Sequence, residues 1–261
     1  MVGTADVARL IGPMRRALAG LFICVSSPTW AMVGGAPPAG EAGRPVVLLV
    51  GSRGTSCSGV ALASDLVLTA GHCVLSGADY KLVEFSPTRQ PTLKDLATIE
   101  RHPNFDVSAV LRHRVTADVA LLRPATPLGN SAASLAPSRG TVAVGDRFVV
   151  AGYGLTTPGD GKSGGTVRSA TLVATGVPGD LQIRLVDPAT KGERSGLGAC
   201  TGDSGAPVFR NTDGRLAVIG VVSWSTGPNN SAGCGGLTGV TPLVRYRDWI
   251  MQTAAKLGSA L

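Results

Sequence analysis

Short apolar runs separated by turn residues dominate the chain from Pro45 onward. Loops rich in Gly, Pro, Ser and Asp lie between them, for example at 156–165 and 225–233. Strand-like and helix-like segments do not alternate, which argues against a parallel α/β sheet. The pattern therefore predicts an all-β barrel or sandwich. The clearest strand-like runs are 46–50, 59–70, 81–85, 119–124, 147–154, 181–186, 216–224 and 239–244.

Length and composition agree with this interpretation. A chain of 261 residues suits one large domain or two small packed ones. Its 36 glycines and 17 prolines favour many turns over long helices. One helix is predicted at the C-terminus, over about 244–257, and the polar segment 125–140 is a candidate connector between two halves.

The N-terminus has the features of a secretory signal peptide. Three arginines precede the apolar stretch 17–25, which is too short to span a bilayer. Thr29 and Ala31 then form a small-residue cleavage pattern. We therefore expect residues 1–31 to be removed and the mature chain, 32–261, to be secreted to the periplasm or the cell exterior.

Cleavage after Ala31 would change the cysteine count from five to four, because it removes Cys24. An even number of cysteines in an exported chain favours disulfides over metal ligation. No C-x-x-C pair argues for zinc, and no metal or cofactor is expected. The net charge of +7 comes from scattered lysines and arginines, so no nucleic-acid footprint is present. The four remaining cysteines are Cys57, Cys73, Cys200 and Cys234.

His72 is the histidine with the most distinctive setting. It lies in the segment LTAGHC, directly before Cys73, and Cys57 comes sixteen residues before that cysteine. If the two cysteines pair, they attach the His72 loop to the preceding strand and stabilise the fold by about 3 kcal/mol. His102 and His113 lack such a setting, and we interpret both as surface or packing residues.

Two further segments carry candidate chemistry. Ser204 stands between small residues in ACTGDSGAPVF, where a tight turn can direct backbone N–H groups at one point and bind an oxyanion. Asp118 precedes the apolar run of ADVALLRP. Each segment alone is also compatible with an ordinary turn or strand end.

Taken together and in this order, LTAGHC, DVALL and GDSGAP resemble the chymotrypsin/trypsin-like serine proteases, over nearly the whole chain after residue 31. The resemblance implies an all-β fold of two packed six-stranded antiparallel β-barrels with a short C-terminal helix. We expect the first barrel at about 32–135, the second at about 136–243, and the active site between them.

The family's roles are transferred to the matching positions. Ser204 would attack the scissile carbonyl, His72 would accept its proton, and Asp118 would orient the imidazole. The backbone N–H groups of Gly202 and Ser204 would form the oxyanion hole. A Cys57–Cys73 and a Cys200–Cys234 disulfide are expected.

The resemblance also implies a substrate-binding surface. The substrate backbone would lie along Ser223, Trp224 and Ser225, adding a strand to the enzyme. Gly198 and Ala199 fall at the base of the specificity pocket and Gly239 on its far wall. Because Gly198 carries no charge, an uncharged P1 residue is expected.

Met-Val-Gly-Gly at 32–35 stands where the family's new N-terminus folds inward. The α-ammonium of Met32 would pair with Asp203, so that signal peptidase itself creates the activating terminus. A later cut, for example near Ala36, is the alternative. Three residues depart from the family pattern, namely Met32, Ala206 and Ser225.

The sequence thus predicts a secreted serine endopeptidase, monomeric and without membrane attachment once the signal is removed. Its expected partners are polypeptide substrates and protein inhibitors. The alternative is a catalytically silent protease-like binding protein. Relatives of that kind have usually lost the histidine or the serine of the triad. An α/β-hydrolase esterase fits poorly, because there the serine precedes the histidine in the chain.

Overall fold

The computed structural model describes residues 32–86, 88–137, 141–176 and 181–261. The predicted signal peptide lies outside these residues. No helix of the described ranges is long and apolar enough to cross a membrane. The strands are β1 Val46–Gly51, β2 Ser56–Ala63, β3 Leu66–Thr69, β4 Tyr80–Phe85, β5 Pro91–Arg101, β6 Ala120–Pro124, β7 Ser134–Leu135, β8 Arg147–Gly152, β9 Arg168–Ala174, β10 Ile183–Val186, β11 Pro207–Thr212, β12 Arg215–Ser225 and β13 Thr238–Pro242; the helices are α1 Val107–Leu111 and α2 Arg247–Lys256.

The first six strands close into an antiparallel barrel in the order β1-β2-β3-β6-β5-β4, with β4 pairing back onto β1. Strands β1, β2 and β3 are rich in valine and leucine, which favour a pleated, buried surface. Leu49, Val67, Leu82 and Leu122 point into this barrel and are fully buried.

The second barrel is formed by β8-β9-β10-β13-β12-β11, and β11 pairs with β8 to close it. These pairings are antiparallel, and the two-residue strand β7 adds to β12 in parallel as a seventh strand. The barrel is filled by Phe148, Leu172, Ile183 and Val240. Two six-stranded barrels with a C-terminal helix confirm the predicted fold class.

A shared core joins the two barrels. Leu68 and Leu121 of the first barrel belong to one buried cluster with Phe209 and Val221 of the second. Burial of this apolar surface from both sides holds the barrels together and leaves a cleft along one edge of their contact.

The helix α2 covers the first barrel although it follows the second in sequence. Its buried Ile250 and Ala254 lie in the shared core beside Val60. Lys256 also forms an ion pair with Glu100 of β5, at 3.0 Å. The helix starts three residues later than predicted, because a 3₁₀ turn occupies Leu243–Arg245.

The N-terminal segment packs in the second barrel although it precedes the first in sequence. Met32 and Ala36 are fully buried in the core of the second barrel, and Pro38 forms an isolated bridge to Arg168 of β9. The sequence-based boundary assigned residues from 32 onward to the first barrel. The structure differs there, because apolar residues at the start of the described chain fill space in the second barrel.

Candidate active site

His72 lies in a 3₁₀ turn, Gly71–Val74, that follows strand β3. The neighbouring Cys73 forms a disulfide with Cys57 of β2, with the two Cα atoms 6.1 Å apart. The turn therefore cannot move independently of the barrel wall, which fixes the position of the imidazole backbone.

The carboxylate of Asp118 holds His72 by two hydrogen bonds. Its Oδ2 lies 2.8 Å from Nδ1 of the imidazole, and its Oδ1 accepts the backbone N–H of His72 at 2.9 Å. Asp118 is fully buried, whereas the His72 side chain is 19% exposed. A proton on Nδ1 satisfies this carboxylate and leaves the lone pair of Nε2 free to act as a base.

A third donor reaches the same carboxylate from the second barrel. The buried hydroxyl of Ser223 donates to Oδ2 of Asp118 at 2.5 Å. The sequence assigned the segment that contains Ser223 to the binding of the substrate backbone, and the side chain of Ser223 supports the Asp118 carboxylate. The Asp118 charge also contributes to raising the pKa of Tyr246, although burial of the phenol is the larger cause.

Ser204 sits on a tight turn made possible by two glycines with left-handed backbones, Gly202 at φ +97° and Gly205 at φ +78°. A Cβ at Gly205 would overlap the Thr69 hydroxyl and the Ser58 carbonyl. Ser204 is half-buried, while the residues on either side of it are buried. The turn thus presents one hydroxyl to the cleft and packs its remainder against the first barrel.

His72 and Ser204 line the same cleft, together with Gly202, Trp224 and Ser225. Nε2 of His72 lies 3.9 Å from Cys73 Sγ, and no hydrogen bond joins it to Ser204 within the described residues. The arrangement brings a nucleophile candidate, an oriented imidazole and a possible oxyanion site to one surface. Such hydrogen bonds often tighten only when substrate is bound.

Asp203, next to the serine, is completely buried. Its Oδ1 accepts the Gly154 N–H and its Oδ2 accepts the Cys200 N–H, each at 2.9 Å. Burial raises the pKa of this carboxyl to about 7, against the opposing effect of the two hydrogen bonds. A side chain at Gly152 or Gly154 would overlap the carboxylate, which shows how closely backbone surrounds it.

Comparison with known proteins agrees with this geometry. The trypsin family model matches residues 32–250. The chain belongs to the trypsin family. It is 27% identical over 76% of its length to serine protease 1 of Canis lupus familiaris, of which 80% is covered. It is 28% identical to the vitellin-degrading protease of Bombyx mori, with 77% of each chain covered, and 25% identical to human kallikrein-8, with 77% and 78% covered.

Both disulfides expected for a trypsin-family protein are present. Cys200–Cys234 is the second, with Cα atoms 4.8 Å apart. Cys57, Cys73 and His72 also lie close enough together to resemble a metal cluster. The two sulfurs are bonded to each other, so they offer no thiolate to a metal ion.

The structure shows the surroundings of the residues that the sequence assigned to the specificity pocket. Gly198 and Ala199 are buried, and Gly198 bridges to Val33. Gly239, however, lies opposite Trp224 in the β12–β13 pairing, and the indole covers the face where its Cβ would be. The register shift between Val222 and Trp224 brings Gly239 opposite Trp224.

Thr238, the neighbour of Gly239, contacts a residue that the sequence assigned to the base of the pocket. It pairs with Ser225 across β12 and β13, and its buried Oγ1 accepts the Ala199 N–H at 3.1 Å. The sequence did not identify this residue, because its contact with Ala199 depends on how distant segments meet and leaves no local signal.

Two other residues lie close to the site, and the sequence did not identify the first of them, Ser58. Ser58 lies beneath the Ser204 turn, and His113 stacks on Trp224 with ring centroids 4.5 Å apart and planes 12° from parallel. This stacking agrees with the expectation that His113 is a surface or packing residue, and it places the imidazole beside Trp224, which lines the cleft. His102 packs against Tyr246 and Trp249, as a packing residue should.

Proposed function

We propose that this protein is a secreted serine endopeptidase that cleaves peptide bonds with Ser204, His72 and Asp118. The observation that carries the proposal is the His72–Asp118 pair, at 2.8 Å, in the cleft that Ser204 also lines. The proposed roles of the three residues are those of the Ser-His-Asp triad in this family.

In the proposed reaction, Nε2 of His72 removes the proton of Ser204 as its Oγ attacks the scissile carbonyl carbon. The carbonyl π electrons move onto oxygen, where the N–H groups of Gly202 and Ser204 stabilise the charge. When the tetrahedral intermediate collapses, the C–N bond breaks and His72 gives its proton to the leaving amine. Water then attacks the acyl-enzyme by the same proton route, releasing the acid and the free serine.

Asp118 supports this cycle electrostatically. It holds the proton on Nδ1 and stabilises the imidazolium that forms during both steps. Since Ser223 and the His72 N–H donate to the same carboxylate, its negative charge is satisfied without a metal or a lysine.

For specificity, we propose an uncharged P1 residue. Gly198 supplies no charge, and the Thr238 hydroxyl is already engaged with the Ala199 N–H. The buried carboxylate of Asp187 lies nearby in sequence and accepts N–H groups of Ala189 and Leu197, so it is held by backbone. Arginine anilides cleaved far faster than phenylalanine, leucine or alanine anilides would contradict this preference.

For activation, we propose that removal of the signal peptide after Ala31 produces the working N-terminus. Met32 is fully buried and Val33 pairs with Gly198, so the segment occupies the second barrel. No cationic side chain of the described ranges pairs with Asp203, and the Met32 α-ammonium would supply that charge. N-terminal sequencing of exported protein tests the cut site.

The central test is covalent labelling with a sulfonyl fluoride followed by peptide mass mapping. Labelling of Ser204 that is lost in Ser204→Ala, together with cleavage of casein, supports the endopeptidase. An unlabelled, inactive but folded mature chain would instead favour a binding protein.

A further inference from the structure

Ser58 is a fully buried polar residue of the first barrel that contacts the catalytic turn of the second. It follows the disulfide residue Cys57 on strand β2. Buried hydroxyls are retained where their hydrogen bonds are satisfied, and this one has two backbone partners outside its own barrel.

The hydroxyl of Ser58 donates to the carbonyl of Gly202 at 2.8 Å and accepts the N–H of Tyr153 at 2.9 Å. The backbone N–H of Ser58 donates to the carbonyl of Ser204, also at 2.8 Å. Its own carbonyl accepts the Thr69 hydroxyl at 2.7 Å. Three of these four bonds cross from one barrel to the other.

The bond to Gly202 is the one with a consequence for catalysis. The Gly202 carbonyl belongs to the peptide that lies between the two proposed oxyanion donors, the N–H groups of Gly202 and Ser204. At φ +97° a glycine has several backbone conformations open to it. Fixing this carbonyl fixes the orientation of the intervening peptide and hence the angle at which the two donors converge.

The Tyr153 bond extends the same support. The next N–H along, that of Gly154, donates to Asp203. Two successive amides of one segment therefore hold the Ser204 turn, one through the Ser58 hydroxyl and one through the Asp203 carboxylate.

We infer that Ser58 is a positioning residue for the oxyanion hole, acting through the Gly202 carbonyl without touching substrate. The inference rests on the proposed function, in which Gly202 supplies an oxyanion donor. Because the donors act on the charge that develops in the transition state, loss of Ser58 should lower kcat and leave KM unchanged.

The test compares Ser58→Ala with Thr69→Val in the mature enzyme. Thr69→Val removes a buried hydroxyl that bonds the same residue, Ser58, but leaves the bond to Gly202 intact. Active sites are counted with a fluorophosphonate, so that kcat refers only to folded, reactive molecules. Melting temperatures record the structural cost of each change.

We expect Ser58→Ala to lower kcat per titrated site by roughly 10- to 100-fold, the range for small misplacements of catalytic groups. KM should stay within twofold. Inhibition by a peptide aldehyde, whose hemiacetal oxygen occupies the oxyanion hole, should weaken by a similar factor. Thr69→Val should keep kcat within twofold even where its melting temperature falls.

Three results would overturn the inference: an unchanged kcat per site in Ser58→Ala, an effect confined to KM, or an equal loss of kcat in Thr69→Val. Failure of the wild-type enzyme to react with the fluorophosphonate would instead refute the proposed function. The two failures are therefore distinguishable on one set of samples.

Discussion

Under the proposed activation, the buried carboxylate of Asp203 should make the stability of the chain depend on what precedes Met32. With a peptide bond at that point no ammonium is present, and burial raises the carboxyl pKa from 3.8 to about 7. At about 1.4 kcal/mol per pKa unit, this rise corresponds to about 4 kcal/mol. It is the cost of ionising Asp203 in the folded chain relative to the unfolded one.

The sign follows from proton binding. In a chain that retains residues before Met32, the folded state keeps a proton on Asp203 between about pH 4 and pH 7, whereas the unfolded state has lost it. Its free energy of unfolding should therefore fall by up to about 4 kcal/mol as the pH rises through this window, and should level off above about pH 7. In a chain that begins at Met32, the proposed ion pair with the ammonium would stabilise the carboxylate, so this contribution should vanish.

The experiment uses two chains that differ by one residue, one beginning at Met32 and one retaining Ala31. Both carry Ser204→Ala to prevent self-digestion. Urea unfolding is followed by the fluorescence of Trp224 and Trp249 at several pH values from 4.5 to 8. The difference between the two chains cancels the titration of every other carboxylate.

Asp203→Asn in the chain that retains Ala31 is the control. This substitution should remove the additional pH dependence that the chain has relative to the one beginning at Met32. Superimposable pH profiles for the two starting points would refute the reasoning, because Met32 would then have no electrostatic influence on Asp203.

Three further predictions concern the site and its supports. Asp118→Asn should keep the fold, by circular dichroism, and lower kcat about 10⁴-fold, as in the family's triad; near-normal turnover would exclude Asp118 as the orienting acid. Replacing both Cys57 and Cys73 by serine should lower the free energy of unfolding by about 3 kcal/mol in urea, from the sixteen-residue loop they close; an unchanged midpoint would contradict this. Gly34→Ala should reduce the titratable active-site fraction, because Gly34 has φ +86° and its Cβ would overlap the Gly196 backbone, whereas Gly35→Ala, at φ +83° but in open space, should be milder. Equal losses in the two glycine variants would show that backbone strain alone is responsible.

The strands that the sequence revealed were those with continuous apolar runs. Strands β1, β6 and β8 have such runs, because residues on both of their faces are buried. Strand β5 was missed, since its sequence PTLKDLATIER mixes charges with apolar residues and most of it is exposed or half-buried. The run 59–70 contains two strands, β2 and β3, divided by the turn at Ser64 and Asp65.

The residues of the candidate site also fall into those that a local sequence pattern reveals and those that it does not. His72, Asp118 and Ser204 each lie in a local motif, so sequence could place them before any coordinates existed. Ser58 and Thr238 depend on which strands meet and in which register, and no short segment encodes that information. The bulge in β12 illustrates the limit, because one additional residue decides whether Leu237 or Thr238 pairs with Ser225.

The crossing of the two chain ends should couple the unfolding of the two barrels. Residues 32–36 complete the core of the second barrel, and α2 packs over the first. Each barrel therefore buries residues that come from the opposite end of the sequence. Neither half should therefore survive as an independent folding unit, and thermal denaturation should follow a single cooperative transition. The working cleft, which exists only where the halves meet, would then be lost in the same event as the fold.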